Sequence, residues 1–332
     1  MREGTMKKHF LLLAIGLGFL GNAAAQTTLK LGHILPPASP EHQAYLFMAE
    51  KVKEKSNGSV VLQVFPSSQL GAVNVMLESL QAGQLDMMVE LLEWYGNWDK
   101  RFGVFGVPYL FRDREHFAKY LATPTFKEML SDLEKSRNLV YLKEPINWWF
   151  MSDRTLLSKK PINTPADMKG VKLRMFQARV PVLSWQTLGA NTVIIPWGET
   201  YTALATGTVE AVTARVEAHY QMKQTEVAKY MTITKEYFQI YIPVMSRKTV
   251  DRLTPQQMAA IREAARESGD QFTKLSAAAA KDFQSKVRAE HGVTILEPPL
   301  GPWQQAIRPA YAKFEEEGII PKGMIKQIID LK

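Results

Sequence analysis

Apolar runs of strand length alternate with helical stretches in two separate blocks of this chain, and that rhythm restricts the fold more than any other feature. In the first block, 29–33 reads as a strand, 40–55 as a helix with Ala44, Phe47, Met48 and Val52 near one face, 60–65 as a strand, 72–81 as a helix and 85–89 as a third strand. A strand–helix–strand order sets consecutive strands side by side and parallel, because a parallel pair needs a crossover connection and the helix supplies it. The rhythm restarts at Thr164, a helix cap followed by Pro165 in the first helical position and Asp167 three residues after the cap. Then come a strand over 171–176, a helix over 179–188, a strand over 192–195, a helix over 197–205 and a strand over 209–213. The fold class expected is α/β with two lobes.

A third feature joins the blocks. From the cap Thr254 and Pro255 to Glu290, ahead of Gly292, the chain is rich in Ala, Glu, Gln, Lys and Arg, with no proline inside. About 36 residues rising 1.5 Å each extend roughly 54 Å, enough to run across both lobes.

Residues 1–25 have the order of a secretory signal peptide: Lys7 and Lys8, an apolar run over 10–20, then Ala23 and Ala25 before a cleavage point expected between Ala25 and Gln26. The apolar run is too short to span a bilayer. The G-x-G-x-x-G pattern over 16–21 falls inside this segment with no strand before it, so a dinucleotide site is not expected. Beyond residue 25 the chain has 38 basic and 32 acidic side chains, a net charge of +6. The basic residues are scattered and form no nucleic-acid motif, whereas a mild positive potential suits small anions.

The chain has no cysteine, which excludes thiol catalysis and Cys-ligated metals. His33, His42, His116, His219 and His291 are dispersed without ligand spacing, so no metal and no cofactor are expected. There is no G-x-S-x-G elbow and no P-loop. Glu90 and Glu93 flank the end of the third strand, and Glu199 and Glu217 lie in the second block. Nothing in their spacing marks an acid/base pair, so solvated or helix-capping roles are expected, and the chain is not read as an enzyme.

Arg174 lies toward the far end of the apolar run over 171–176. An always-charged guanidinium there must reach solvent, pair with a carboxylate of its own chain, or meet an anion from outside. Trp148, Trp149 and Trp197 lie near the arginines in block order and suit the walls of a ligand cleft, while core packing is the ordinary role of a tryptophan. His33 ends a strand and either faces a cleft or is a hydrogen-bonded structural histidine.

The segments "LKLGHILPPASPEHQAYLFMAEKVKEKSNGSVVLQVFPSSQLG" (29–71), "FGVFGVPYLFRDREHF" (102–117), "PINTPADMKGVKLRMF" (161–176), "LGANTVIIPWGETYTALATGTVEA" (188–211) and "TEVAKYMTIT" (225–234), taken in order, resemble TRAP-transporter solute-binding proteins of the DctP type. That resemblance implies a two-lobed periplasmic-binding-protein-like fold, one lobe of 26–151 plus 240–279 and the other of 152–239 plus 280–332, with the long helix crossing both. It implies a monomer that captures a small organic acid and delivers it to membrane permease subunits. The carboxylate-binding arginine of the K-(I/L)-R segment falls on Arg174, and a second arginine on Arg154. Where many members have an asparagine followed by proline, this chain has Ala214 and Arg215. Thr213 or Arg215 is then expected to supply the missing polar contact, and Phe176, Trp149, Trp197, Glu93 and His33 complete the expected site. Losing the asparagine suggests a monocarboxylate or dicarboxylate with a bulky or cyclic portion. A secreted hydrolase on a two-lobe scaffold, or a receptor that docks on a sensor protein, are the alternatives.

Overall fold

The computed structural model describes residues 26–142 and 149–332; the expected export segment and Trp148 lie outside them. In chain order the first part contains β1 (Thr27–Gly32), α1 (Pro40–Lys55), β2 (Val60–Phe65), α2 (Val73–Ala82), β3 (Met87–Leu91), α3 (Arg114–Ala122), α4 (Pro124–Arg137), β4 (Leu139–Tyr141) and β5 (Trp149–Phe150). The middle contains β6 (Arg154–Ser158), β7 (Lys172–Met175), α5 (Arg179–Thr187), β8 (Asn191–Ile194), α6 (Thr200–Thr206), β9 (Ala211–Arg215), α7 (Val216–Gln221), α8 (Gln224–Val227) and β10 (Tyr230–Ile233). The last part contains β11 (Ile240–Ser246), α9 (Arg247–Val250), α10 (Pro255–His291), β12 (Thr294–Leu296), α11 (Gly301–Glu316) and α12 (Met324–Ile329).

These strands form two sheets, one per lobe. The first runs β2-β1-β3-β11-β4, with β5 also paired to β11; the second runs β12-β10-β6-β9-β7-β8. β1, β2 and β3 are parallel, as their helical crossovers require, and β11 enters antiparallel beside β3. In the second sheet β9, β7 and β8 are parallel and β6 is antiparallel to β9 and β10. The fold expected from the alternation is therefore the fold observed.

Helices cover both faces of the first sheet. Ser39 caps α1 by accepting from the His42 amide, and Pro40 holds the first helical position. α1 buries Ala44, Tyr45, Met48 and Val52 against Leu29, Leu31, Ile261 and Ala264. Tyr45 takes the central place, and Phe47, expected on that face, is only half-buried. Two strands lie two residues further along than expected. β3 ends at Leu91, so Glu90 is inside the strand instead of beyond it, and β9 ends at Arg215, which brings Ala214 and Arg215 into the sheet.

The chain passes between sheets after β5, after β10 and along α10. The first two crossings are hydrogen-bonded to each other: the Met151 amide donates to Gln239 O at 3.2 Å and the Lys235 amide to Arg154 O at 3.1 Å. The Ser152 amide donates to Ser276 Oγ of α10 at 3.0 Å, tying in the third. α10 is 37 residues long, with a capping box between Thr254 and Gln257 and a left-handed Gly292 after its end. It places Ile261, Ala264, Ala265 and Phe272 in the first-lobe core and Val287 in the second-lobe core. α11 contributes Trp303, against Trp185, to the second lobe, while α12 packs Ile325 and Ile328 among first-lobe residues.

Candidate functional site

A cavity of about 390 Å³ lies between the sheets, lined from one side by His33, Glu90 and Leu91 and from the other by Arg174, Trp197 and Thr213 among others. It opens at the carboxyl ends of β1, β3, β7, β8 and β9, where open α/β sheets expose groups free of ladder bonds.

Arg174, on β7, has no carboxylate partner among the described residues, unlike the other two buried arginines. It is 5% exposed. Its Nε donates to Ile195 O at 2.8 Å, and its guanidinium carbon lies 5.2 Å from the centroid of the Trp197 ring. Among the described residues no carboxylate comes within 4.0 Å of it. Burial, with the Arg154 charge adding, pulls its pKa down to about 9. Arg174 lines the cavity, and its two terminal nitrogens bond to no described residue.

Arg154, the first residue of β6, is the opposite case. Its Nε donates to Glu236 Oε1 at 2.7 Å, Nη1 to Gln239 Oε1 at 2.8 Å and Nη2 to Thr213 Oγ1. The Tyr237 ring lies under it at 4.7 Å. Burial acts to lower its pKa, but Tyr237 and Glu236 outweigh that and hold it above the usual range. Thr213 therefore faces the cavity with its hydroxyl already accepting from Arg154.

Arg215 also has its charge met within the chain, by Glu41 of α1 at 2.5 Å and by Glu217 at 3.1 Å. Glu217 accepts from Ser152 Oγ at 2.7 Å. Arg215 thus forms part of the cavity wall and joins the two lobes there, a different set of partners from the ligand contact expected. Ala214 beside it lines the cavity with no polar group to offer.

His33 lines the cavity, and both ring nitrogens are engaged: Nδ1 accepts from the Leu35 amide at 3.3 Å, and Nε2 meets His42 Nδ1 at 3.0 Å. Burial, then His42, pulls its pKa down to about 3, so it is a neutral, structural ring at the cleft edge. Phe176 is a wall residue, its ring 5.5 Å from that of Trp94. Trp149 is not: β5 pairs with β11 so that its ring packs between Tyr45 and Phe272, 5.6 Å from each, fully buried in the first-lobe core. Glu93 lies behind the wall, where its Oε1 accepts from Gln239 Nε2 at 2.8 Å and burial pushes its pKa up to about 7.

Of the four carboxylates expected to be solvated or capping, Glu90, Glu93 and Glu217 are buried, and Glu199 is exposed at the cavity rim. The strand shift accounts for Glu90. Trp94, Tyr241 and Gln239 also line the cavity and were not expected there. Trp94 lies three residues beyond the end of β3, a position that a correct strand end would have brought close to the cavity. Gln239 belongs to a crossing segment without periodicity, and no local signal points to it. Among the described residues no cluster of His, Asp and Glu has the arrangement to hold a metal ion.

Residues 31–317 match the family described as bacterial extracellular solute-binding protein, family 7. The chain is 28% identical over 269 residues to the 2,3-diketo-L-gulonate-binding periplasmic protein YiaO of Escherichia coli K12, 81% of each chain being covered. Its fold is similar to that of a TRAP periplasmic solute binding protein from Pseudomonas putida F1 with bound D-glucuronate, with a TM-score of 0.82 and 25% identity, covering 92% of this chain and 97% of that one. It is similar also to a TRAP periplasmic solute binding protein from Sulfurospirillum deleyianum with bound succinate, with a TM-score of 0.84 and 25% identity, covering 93% of this chain and 100% of that one.

Proposed function

This chain belongs to the bacterial extracellular solute-binding proteins of family 7, which are binding proteins and not enzymes, and we propose that it captures a small organic acid between its lobes with Arg174 as the carboxylate anchor. The observation that carries this reading is the contrast among three buried arginines. Arg154 and Arg215 each have a carboxylate of their own chain, and among the described residues Arg174 has none. A buried guanidinium left without a counter-charge is unstable by several kcal/mol relative to a paired one, so the arrangement makes sense when the counter-charge arrives with a ligand. The planar fork offers two parallel hydrogen bonds to one carboxylate, which fixes orientation as well as charge. The Trp197 ring, 5.2 Å from the guanidinium carbon, adds a cation–π contact.

In this reading residues 1–25 direct export to the periplasm, the lobes close on the acid by hinge motion at the three crossings, and the loaded protein delivers its ligand to TRAP-type membrane permease subunits. Among the described residues no helix is long and apolar enough to cross a membrane. Ala214, in place of a polar side chain, leaves room for a bulky or cyclic acid.

Calorimetry with D-glucuronate, D-galacturonate and succinate tests the anchor. Removing one partner of a buried charge pair commonly costs about 2–5 kcal/mol, so Arg174→Ala should weaken the best ligand at least some tens of times. Arg174→Lys should recover little, since it loses the fork. Near-native affinity in a folded Arg174→Ala protein would falsify the assignment.

A further inference from the structure

We propose that Glu90 decides which acids the cavity accepts, bonding a hydroxyl of the ligand and barring a second carboxylate; this rests on the organic-acid reading above. Glu90 lies on β3 of the first lobe, facing the cavity from the side opposite to Arg174, and is 6% exposed. Its Oε1 accepts from the amide of the next residue, Leu91, at 2.9 Å. Oε2 bonds to no described residue, and among those residues no Lys, Arg or His lies within 4.0 Å of the carboxyl. The groups that feel its charge are Glu93 and the phenols of Tyr45, Tyr95 and Tyr241, none of them a cation. A buried carboxyl without a partner is costly, and a fold keeps one at a cavity wall where a ligand completes its bonding.

The charge inventory of the cavity then limits what can complete it. Among the described residues Arg174 is the one cavity arginine with no carboxylate partner; the bonds of Arg154 and Arg215 are taken by Glu236, Glu41 and Glu217. One carboxylate of the ligand can therefore be neutralised. A second one placed near Glu90 would stay buried with no cation among the described residues to neutralise it, whichever protonation state Glu90 holds. A hydroxyl suits the position in either protonation state, since it donates to a carboxylate and accepts from a carboxylic acid. Burial, reinforced by Glu93, pushes the Glu90 pKa up to about 8, which keeps the acid form available near neutral pH. An acid with one carboxylate and hydroxyls on the far part of its skeleton satisfies both ends of the cavity at once.

The test is calorimetry of the purified protein at pH 7.5 with D-glucuronate, D-galacturonate, succinate and glutamate. Wild type should bind the better uronate at least about 100-fold more tightly than succinate. Glu90→Gln should narrow that ratio at least tenfold, by weakening the uronate, strengthening succinate, or both, while Arg174→Ala should lose uronate and succinate alike. A wild-type preference for succinate refutes the inference, as does tightest binding of glutamate, which would make Glu90 an ammonium site. So does a ratio unchanged in Glu90→Gln. If Glu90→Gln does not fold, the wild-type ratio alone still decides. Binding of none of the four acids by wild type would remove the organic-acid reading itself, and the inference with it.

Discussion

Arg215 of the second lobe and Glu41 of the first meet at 2.5 Å, both buried, at the edge of the cavity. The pair bridges the lobes, and Glu217 and Ser152 link it to the first crossing strand. Opening the lobes must separate these charges and rehydrate them. We expect Glu41→Gln, which keeps the shape and removes the charge, to shift the unliganded protein toward the open form, visible as a larger radius of gyration in small-angle scattering. Affinity should fall in step, because binding must then supply more of the closing free energy. An unchanged scattering profile with unchanged affinity would mean that the pair does not govern closure.

Arg154 should matter to the fold more than to the ligand. Arg154→Ala strands Glu236 and leaves Gln239 and Thr213 without their donor, and losing one member of a buried pair costs about 3–5 kcal/mol. Chemical denaturation should show that loss, with a smaller affinity change than in Arg174→Ala. The opposite pattern, full stability with collapsed binding, would make Arg154 a ligand anchor.

Stability of the ligand-free protein should decline between about pH 6.5 and 8. Glu90 and Glu93 have folded pKa values raised to about 8 and about 7 from 4.5, so the folded state holds more protons than the unfolded chain in that interval, and stability falls as pH rises through it. His33 and His219, lowered to about 3 and about 4 from 6.5, act the other way and add stability as pH rises toward 6.5. Melting temperatures measured from pH 5 to 9 should therefore change little up to about pH 6.5, where the two pairs offset one another, and then fall toward pH 8. Glu90→Gln should flatten the alkaline side, and an unaltered slope would contradict the buried-carboxyl account.

Two tryptophans on either side of the cavity wall should separate cleanly in mutagenesis. Trp149→Ala empties a fully buried core position, for which about 3–5 kcal/mol is typical, and leaves the ligand's surroundings intact. Trp94→Ala removes a half-buried wall ring packed on Phe176, so binding of a ring-bearing acid should weaken while the melting temperature changes less. Equal effects on binding from both variants would argue against this division.

Much of the architecture was legible because its signals are local. The bounds of α1 and β2 agree with expectation, and α10 starts at Pro255 as expected and ends one residue later than expected, at His291, just before Gly292. The strands that slipped, β3 and β9, are bounded by distant partners. The Asp86 carboxylate, just before β3, is taken up by the Lys30 amide and Thr249, so pairing begins only at Met87. That shift hid Glu90. The resemblance ranks Arg174 first and Arg154 second as ligand contacts but cannot show that Arg154 is already paired, because its partners Glu236 and Gln239 lie 82 and 85 residues beyond it. Trp149 was misplaced for the same reason: its neighbour Phe272 lies on a helix far along the chain.

The reach of α10 makes the lobes interdependent in a way that their separate sheets conceal. Remove the second lobe and the segment around Val287 loses its cover; remove the first and Ile261 and Phe272 stand bare in water. β11 compounds this, since the centre of the first sheet is filled only after the chain has returned from the second. Neither lobe can be cut out as a contiguous piece that owns a whole interior, so synthesis must reach the last third of the chain before either core is complete.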